Sequence, residues 1–524
     1  MLALAAYTFA FITIGLWGGL KIVKLKLFPK EFLYICSLAV SLLFFYLLFF
    51  VYLANPALAH FIALGFIVFS PLVAVALIID AKKYPDSLKL IRQNFLPPLL
   101  IIGVVFFIYN SLLYGCRLPV ARVDSRRVPN ETFCAIQNMP LDNGLPLMYG
   151  VFTLNNKAKD LVLDWSIADR PPLQIGATLP LDDLSRSARP SNVANYYNVF
   201  SIFLQLSWIA AVWAVFKRLK FDRRARILLF LGFSAVGFFY LNSIFVWPKL
   251  LATGLALAGI TPYLGEKITK LSYRYAPVAA VLIALGLESH SSVIFTLVPL
   301  ALILGYKLLK SGKINFKQLA IAATLFVCIL APWQVYRGSI TTSDRLVKYH
   351  FADVTAYEDK RGTVQTIVQE YQKLSFSQWI HNKSKNVTAL FTAGYKAEAG
   401  CRPISLNKAC NDWKTLTFFS TFFAFEMYGI GFLFLLYYCI HHRLDSFDKE
   451  AGLLAIGSLL FWVIVMFHPG STVVHQGSFL TMIVMFILLG KNIARSPFWI
   501  LVAITAIQLV IFCQSWVVPF HYLT

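Results

Sequence analysis

Charged residues are scarce in this chain, and acidic ones are the scarcest. Only 14% of the 524 residues are Asp, Glu, Lys or Arg, whereas 58% are hydrophobic. This balance excludes an ordinary soluble domain and predicts a polytopic membrane protein. We expect an all-α bundle of about fourteen transmembrane helices, each crossing with about 20 residues. The apolar segments between 249 and 306 are short, so we expect tilted, broken or buried helices there.

Several motifs of well-known enzyme classes are missing. The sequence has no Walker motif, no Gly-x-Gly-x-x-Gly turn and no Gly-x-Ser-x-Gly elbow, which excludes the usual nucleotide-binding and serine-hydrolase classes. It also lacks the Cys and His spacings of zinc sites. No internal repeat is evident, although transporters are commonly built from such repeats. A flippase or exporter of lipid-linked sugars is therefore the weaker alternative to an enzyme.

The excess of basic charge indicates the orientation of the chain in the membrane. Lys and Arg number 47 against 25 Asp and Glu, for a net charge of +22. The basic residues gather in alternate short loops, such as 21–30, 82–92 and 217–226, as expected of cytoplasmic loops. The two long loops, 115–195 and 336–416, belong to the other set of alternate loops, so they are predicted to lie outside the cytoplasm. We expect an N-outside, multi-pass protein of a bacterial inner membrane, with no nucleic-acid partner because no soluble basic surface is predicted.

Cysteines are few, and half of the eight lie in the two long loops. Pairs of cysteines in both loops fit an oxidising compartment outside the cytoplasm. Two disulfides and four reduced thiols remain alternatives, because connectivity cannot be read from a sequence. The disulfide candidates are Cys116, Cys134, Cys401 and Cys410.

The chain divides into a membrane body and two exterior inserts. We interpret 1–93 as an N-terminal transmembrane addition and 94–335 as the core. The core contains the first exterior loop, 115–195, where chemistry is expected. The second exterior loop, 336–416, is interpreted as an acceptor or lid region, and 417–524 supplies the C-terminal transmembrane helices.

The first exterior loop contains two notable polar elements. After Asp142, apolar side chains recur at helical spacing from Leu145 to Phe152, which predicts a short helix on the bilayer surface. Asp142 is then either a helix N-cap or a functional carboxylate beside the headgroups. Further on, Asp169 and Arg170 precede a double proline that stiffens the backbone. This segment either presents both groups at a set position or forms an ordinary turn with a surface ion pair.

Together these elements resemble the first exterior loop of the GT-C membrane glycosyltransferases. The similar branch contains the protein O-mannosyltransferases and the lipid A aminoarabinose transferase. Its pattern is Asp-Glu, a helix, and then His-Pro-Pro-Leu; the matching positions here are Asp142-Asn143 and Arg-Pro-Pro-Leu at 170–173. Asn143 stands where the family has its second acid, and Arg170 stands where it has His. The rest of the chain is similar only in its layout of many spans.

The resemblance implies transfer of a sugar from an undecaprenyl-type polyprenyl-phosphate donor to a cell-envelope glycan, lipid or protein acceptor. A phosphate leaving group requires cations and a base for the acceptor hydroxyl, but no raised-pKa acid. By this resemblance Asp142 is the general base of an inverting transfer, and Asp169 orients the acceptor. We expect no cofactor because the second acid is missing. The alternative is Mg²⁺ or Mn²⁺ bound by Asp164, Asp169 or the Asp182-Asp183 pair.

Three residues are candidates for binding the donor phosphate. Arg170 can bind a phosphate bidentately. Lys249 lies in a short exterior turn against the positive-inside bias, so it either binds phosphate or extends towards headgroups. His290 lies in another such turn, where an ordinary interfacial role is the alternative. The supporting candidates are Asn143, Asp164, Glu288, Arg337 and Arg345.

A second class of membrane glycosyltransferase also fits the sequence. O-antigen polymerases and ligases use lipid-linked sugars as well, but they rely on exterior arginines and a histidine. That alternative makes Arg337, Arg345, Lys348 and His350 central and Asp142 dispensable.

Overall fold

All regular secondary structure in the described part of the chain is helical, which confirms the predicted all-α class. The four disulfide candidates lie outside that part. The computed structural model describes residues 2–114, 144–155, 170–185, 190–312, 314–340, 345–354, 361–391, 422–467 and 479–517.

The described residues form 22 α-helices, numbered here in chain order. The first eleven are α1 (Leu2–Lys24), α2 (Leu33–Ala54), α3 (Pro56–Lys83), α4 (Pro85–Leu90), α5 (Leu96–Tyr114), α6 (Leu145–Leu154), α7 (Leu173–Leu184), α8 (Pro190–Gln205), α9 (Ser207–Arg218), α10 (Arg223–Ser234) and α11 (Gly237–Ile244). The next eleven are α12 (Lys249–Ile260), α13 (Lys270–Ser289), α14 (Ile294–Ser311), α15 (Phe316–Ile340), α16 (Arg345–Ala352), α17 (Thr363–Gln372), α18 (Phe376–Phe391), α19 (Gly431–Ile440), α20 (Ser446–Val465), α21 (Phe479–Ala494) and α22 (Phe498–Phe512).

The multi-pass membrane class is confirmed, whereas the predicted count of fourteen spans is not reproduced. Within the described ranges, 9 helical segments are long and apolar enough to cross a membrane, or up to 10 if α10 and α11, bent by 63°, form one broken span. The nine are Leu2–Lys24, Lys30–Ala54, Pro56–Lys83, Pro85–Leu113, Asn195–Arg218, Lys270–Ser289, Ser291–Ser311, Phe316–Ile340 and Phe498–Ser515.

Helix α12 lies in the region of short apolar segments, 249–306, where tilted, broken or buried helices are expected. It has 12 residues, all of them buried in protein. Glycines allow its neighbours to approach closely: a Cβ on Gly254 would lie 2.9 Å from Ser207 Oγ of α9, and one on Gly259 would lie 2.7 Å from an Ile283 side-chain carbon of α13. Small residues at helix crossings permit such packing. The apolar side chains of α12 thus contact other helices instead of lipid.

The N-terminal helices pack directly against the core. The hydroxyl of Tyr7 in α1 donates a hydrogen bond to the carbonyl of Ala177 in α7. A Cβ on Gly176 would lie 2.7 Å from the carbonyl oxygen of Phe45 in α2. The segment 1–93 therefore packs against α7 of the first long loop.

Ion pairs join helix ends beside the basic loops. Lys24 Nζ lies 2.6 Å from an oxygen of Asp80, which connects the ends of α1 and α3. Lys491 and Arg495 lie 2.7 and 2.6 Å from the two oxygens of Asp448 at the start of α20. These are the helix ends that the charge pattern assigns to the cytoplasm, so the opposite ends of these helices point towards the predicted exterior.

Candidate functional site

Two short helices of the first long loop lead into the site. α6 confirms the helix predicted after Asp142, but Leu145 is buried and the helix packs against α7. Of the predicted apolar face, Leu145 is buried, Met148 and Phe152 are partly buried, and Val151 is 37% exposed. α7 begins at Leu173, directly after Pro172 at its N-cap. A helix start tolerates proline because its first N–H groups have no intrahelical partner.

A pair of buried glutamines fixes the start of α7. Gln174 Nε2 donates to the carbonyl of Val246 at 2.7 Å. Gln174 Oε1 accepts from Gln205 Nε2 at 2.9 Å, and Gln205 Oε1 accepts from the N–H of Leu251 at 3.1 Å. These bonds hold Arg170, which precedes α7, beside the turn between α11 and α12.

Three predicted phosphate-binding residues meet around the ring of Trp247. The guanidinium carbon of Arg170 lies 4.6 Å from the ring centre, and Lys249 Nζ lies 5.0 Å from it. The imidazole of His290 lies 5.8 Å from the same ring, centre to centre. Lys249 is only 3% exposed. The structure therefore brings together side chains from three separate segments, and two of them are cations: Lys249, which is buried, and Arg170, which is partly exposed.

The orientation of His290 follows from its backbone surroundings. Ser289 Oγ donates to the carbonyl of Pro248 at 2.9 Å, which ties the end of α13 to the same turn. His290 caps the next helical turn, and its Nδ1 accepts the backbone N–H of Ser292 at 3.1 Å. A neutral imidazole that accepts at Nδ1 carries its proton on Nε2. His290 is thus set up to donate a hydrogen bond from Nε2.

His350 of α16 interacts electrostatically with two members of this group, Arg170 and Lys249. Burial, followed by the positive charges of Arg170 and Lys249, lowers the pKa of His350 to about 3. Its carbonyl accepts the backbone N–H of Phe467 at 3.3 Å. The second long loop therefore reaches the same place as the first. We call Arg170, Trp247, Lys249, His290 and His350 the Trp247 cluster.

The other predicted residues in the described ranges have separate surroundings. Glu288 is 2% exposed and interacts electrostatically with Arg337 of α15. Its Oε2 has no hydrogen-bond partner among the described residues. Arg345 begins α16, and Lys348 Nζ donates to the carbonyl of Arg361. Of the residues favoured by the polymerase alternative, His350 is the one that the structure places in the Trp247 cluster.

A second polar group lies at the other end of α7. Asp183 Oδ2 lies 2.8 Å from His60 Nδ1 and accepts the Tyr52 hydroxyl at 3.1 Å. Asp182 is 1% exposed, and neither of its oxygens has a hydrogen-bond partner within the described ranges. Burial and then the charge of Asp183 raise the pKa of Asp182 well above its usual value. In the described part of the chain, no three His, Cys, Asp or Glu side chains could share a metal ion.

The remaining predicted site residues lie outside the described ranges. The roles of Asp142 and Asp169 therefore stay predictions. Sequence reasoning missed two residues that the structure makes important, Trp247 as the common contact and Gln174 as the anchor of Arg170. The undescribed site candidates are Asp142, Asn143, Asp164 and Asp169.

Comparisons with known proteins identified no relative. No protein-family model, curated protein or solved structure matches this chain. The Trp247 cluster is therefore the basis for inferring function.

Proposed function

We propose that the protein is a membrane glycosyltransferase. It transfers a sugar from a polyprenyl-phosphate donor to an envelope glycan, lipid or protein acceptor on the extracytoplasmic face. The proposal rests on the convergence of Arg170, Lys249 and His290 on Trp247. A departing phosphate requires cations and N–H donors fixed at one point, and this cluster supplies both.

Each member of the cluster contributes in a different way. The guanidinium of Arg170 offers two parallel N–H groups, whereas Lys249 acts as a compact point charge. His290, whose Nδ1 accepts a backbone N–H, offers Nε2 as a hydrogen-bond donor. The ring of Trp247 attracts both cations without cancelling their charge. Lys249 and His290 are only 3% and 8% exposed. Water therefore weakens their interactions with an anion less than it would weaken those of solvent-exposed side chains.

The base of the reaction is assigned to Asp142. It precedes α6, which packs on α7 where a Cβ on Gly150 would lie 3.4 Å from Leu179. α7 in turn follows Arg170, so the helix that Asp142 precedes in the sequence packs against the helix that Arg170 precedes. Asp142 takes the proton of the acceptor hydroxyl, whose oxygen bonds to the anomeric carbon. The carbon–phosphate-oxygen bond breaks, and the phosphate leaves with the electron pair, inverting the anomeric centre.

The test uses full-length protein in phosphatidylethanolamine–phosphatidylglycerol vesicles with a polyprenyl-phosphate sugar. Asp142→Asn should keep donor binding and lower transfer by about two to four orders of magnitude, the usual contribution of a general base. Arg170→Gln should instead weaken donor binding. Near-normal transfer by Asp142→Asn would remove the base assignment. Unchanged donor affinity in Arg170→Gln would remove the phosphate site.

The position of His350 favours one second candidate, the O-antigen polymerase or ligase type. The charges of Arg170 and Lys249 act on this histidine, which is one of the residues that the alternative makes central. The two functions differ in the base that they need. If His350→Gln abolishes transfer while Asp142→Asn retains it, the polymerase or ligase type is correct; the reverse result supports the proposal above.

A further inference from the structure

Helix α18 of the second long loop has three distinct faces. At about 100° per residue, its exposed apolar side chains fall within an arc of about 60°. These are Phe376, Ile380, Val387 and Phe391, which are 79%, 47%, 45% and 53% exposed. The next arc is polar and open to solvent, and it contains Ser377, Gln378, His381, Ser384, Lys385 and Thr388.

The third face of α18 binds the end of α20. Asn386 Nδ2 donates to the carbonyls of Val463 and Met466, each at 2.9 Å. Lys383 Nζ also donates to the carbonyl of Met466. The last carbonyls of a helix have no intrahelical partner, so these two buried side chains act as a cap. α18 therefore crosses the C-terminal end of α20.

The exposed side of α20 indicates the environment of its C-terminal end. Its exposed apolar residues form one stripe along the helix and continue to its last turn. They are Leu453, Ile456, Leu460 and Ile464, exposed by 60%, 59%, 55% and 56%. α20 is 20 residues long but is not one of the nine candidate spans, and its stripe suits a lipid environment. Because Ile464 is next to Val463, which α18 caps, α18 lies where this apolar stripe ends.

We propose that α18 is an interfacial helix whose apolar stripe, Phe376, Ile380, Val387 and Phe391, inserts into the membrane leaflet at the C-terminal end of α20. Each face then has a matching environment: protein for Asn386, lipid for the stripe, and water for the polar arc. Interfacial helices show this division, with the apolar side in the headgroup region. The polar arc beside the stripe would be buried by a large protein partner, whereas a bilayer leaves it in water.

The lipid anchor is connected to the Trp247 cluster. Met466, which Lys383 and Asn386 bind, is followed by Phe467, whose N–H donates to the carbonyl of His350. The ring of Phe467 also contacts that of Tyr371, at 5.1 Å between centres. Insertion of α18 into the leaflet thus holds the end of α20 and, with it, His350. This inference does not depend on the proposed reaction.

Site-specific photocrosslinking tests the proposal directly. Benzoylphenylalanine is placed singly at Ile380 or Val387 on the stripe, and at His381 or Lys385 on the polar arc. The full-length protein is irradiated in phosphatidylethanolamine–phosphatidylglycerol vesicles, and its adducts are identified by mass spectrometry. The stripe positions should give several-fold more lipid adduct than the polar positions. Equal lipid adducts at all positions, or a crosslinked second copy at Ile380 and Val387, would overturn it.

A second measurement does not require an unnatural residue. The double variant Ile380→Asp/Val387→Asp places two charges in the stripe, and Ser384→Asp/Thr388→Asp places two on the polar arc. Hydrogen exchange across 376–391, measured in the same vesicles, should become faster in the first variant only. The same exchange rate in both variants would contradict insertion.

Discussion

The guanidinium of Arg170 lies over the ring of Trp247, 4.6 Å from its centre. Lys249 contacts the same ring although the two cations repel each other. The backbone on both sides is fixed independently, by Gln174 bound to the Val246–Trp247 turn and by Ser289 bound to Pro248. The positions of the charges are therefore set before an anion arrives, and preorganised charges need little rearrangement when they bind one.

Removal of the lysine charge should weaken donor binding. Lys249→Met loses a charged hydrogen bond to phosphate, worth about 1.5–3 kcal/mol, so the donor dissociation constant should rise by about tenfold to hundredfold. Lys310→Met is a matched control, because Lys310 also lies near an aromatic ring, that of Tyr306. Binding of a polyprenyl-phosphate sugar to both variants in nanodiscs measures the difference. Equal affinities would contradict the role of Lys249.

Replacement of the shared ring separates its electrostatic effect from its bulk. Trp247→Phe keeps an aromatic face, whereas Trp247→Leu removes it. With each cation–π contact worth about 0.5–1 kcal/mol, loss of both should weaken donor binding by about five- to thirtyfold in the Leu variant. The Phe variant should lose less. Titration of the same donor gives both values, and identical losses would mean that the ring only fills space.

The neutral state of His350 should make the protein sensitive to acid. The unfolded chain protonates this residue at its ordinary pKa of 6.5, but the folded protein does so only near 3. Between these values the unfolded state binds more protons, so the free energy of unfolding falls as the pH falls. His350→Gln should reduce this loss of stability. Thermal unfolding midpoints from about pH 7 to pH 4 measure it.

The exposed His381 provides the control for this measurement. His381→Gln also removes an imidazole, but from the polar arc of α18. Its unfolding midpoints should follow those of the unmodified protein across the acid range. If His350→Gln does the same, burial and the charges of Arg170 and Lys249 do not lower the pKa of His350.

The sequence predicted the membrane class but not which apolar helices contact lipid. Leu145 recurs with its neighbours at helical spacing, and the helix is present, yet Leu145 is buried against protein. Helix α12, Lys249–Ile260, is mostly apolar, and all of its residues are buried in protein. Lipid and a protein core favour the same side chains, so periodicity alone cannot separate them. The number of spans therefore depends on packing that only the structure shows.

Part of the candidate site could be predicted from the sequence, because charge placement carries information that hydrophobic periodicity does not. Lys249 was identifiable because a lone basic residue in an exterior turn opposes the positive-inside bias. Gln174 and Trp247 gave no such signal. The hydrogen bond from Gln174 to Val246 joins two distant segments through a backbone carbonyl, and every residue offers one. Contacts of this kind arise from tertiary packing and leave no local pattern.

Asp182 and Asp183 are neighbours in the chain with opposite surroundings, and they should respond oppositely to the same substitution. Asp183→Asn weakens the acceptor for His60 and Tyr52, so it should lower the free energy of unfolding by about 1–3 kcal/mol. Asp182→Asn should instead raise stability at neutral pH. Its carboxyl is buried without a hydrogen-bond partner in the described ranges, and burial raises its pKa well above 3.8.

The effect of Asp182 on the free energy of unfolding depends on pH. Above about pH 3.8 the unfolded chain releases the proton of Asp182 while the folded protein retains it, so this residue lowers stability as the pH rises. The gain from Asp182→Asn should therefore be present at pH 7 and disappear as the pH approaches 4. Thermal unfolding of both variants in one detergent, at neutral and acid pH, measures this. A loss of stability in Asp182→Asn equal to that in Asp183→Asn would show that Asp182 is a charged, stabilising group in the folded protein.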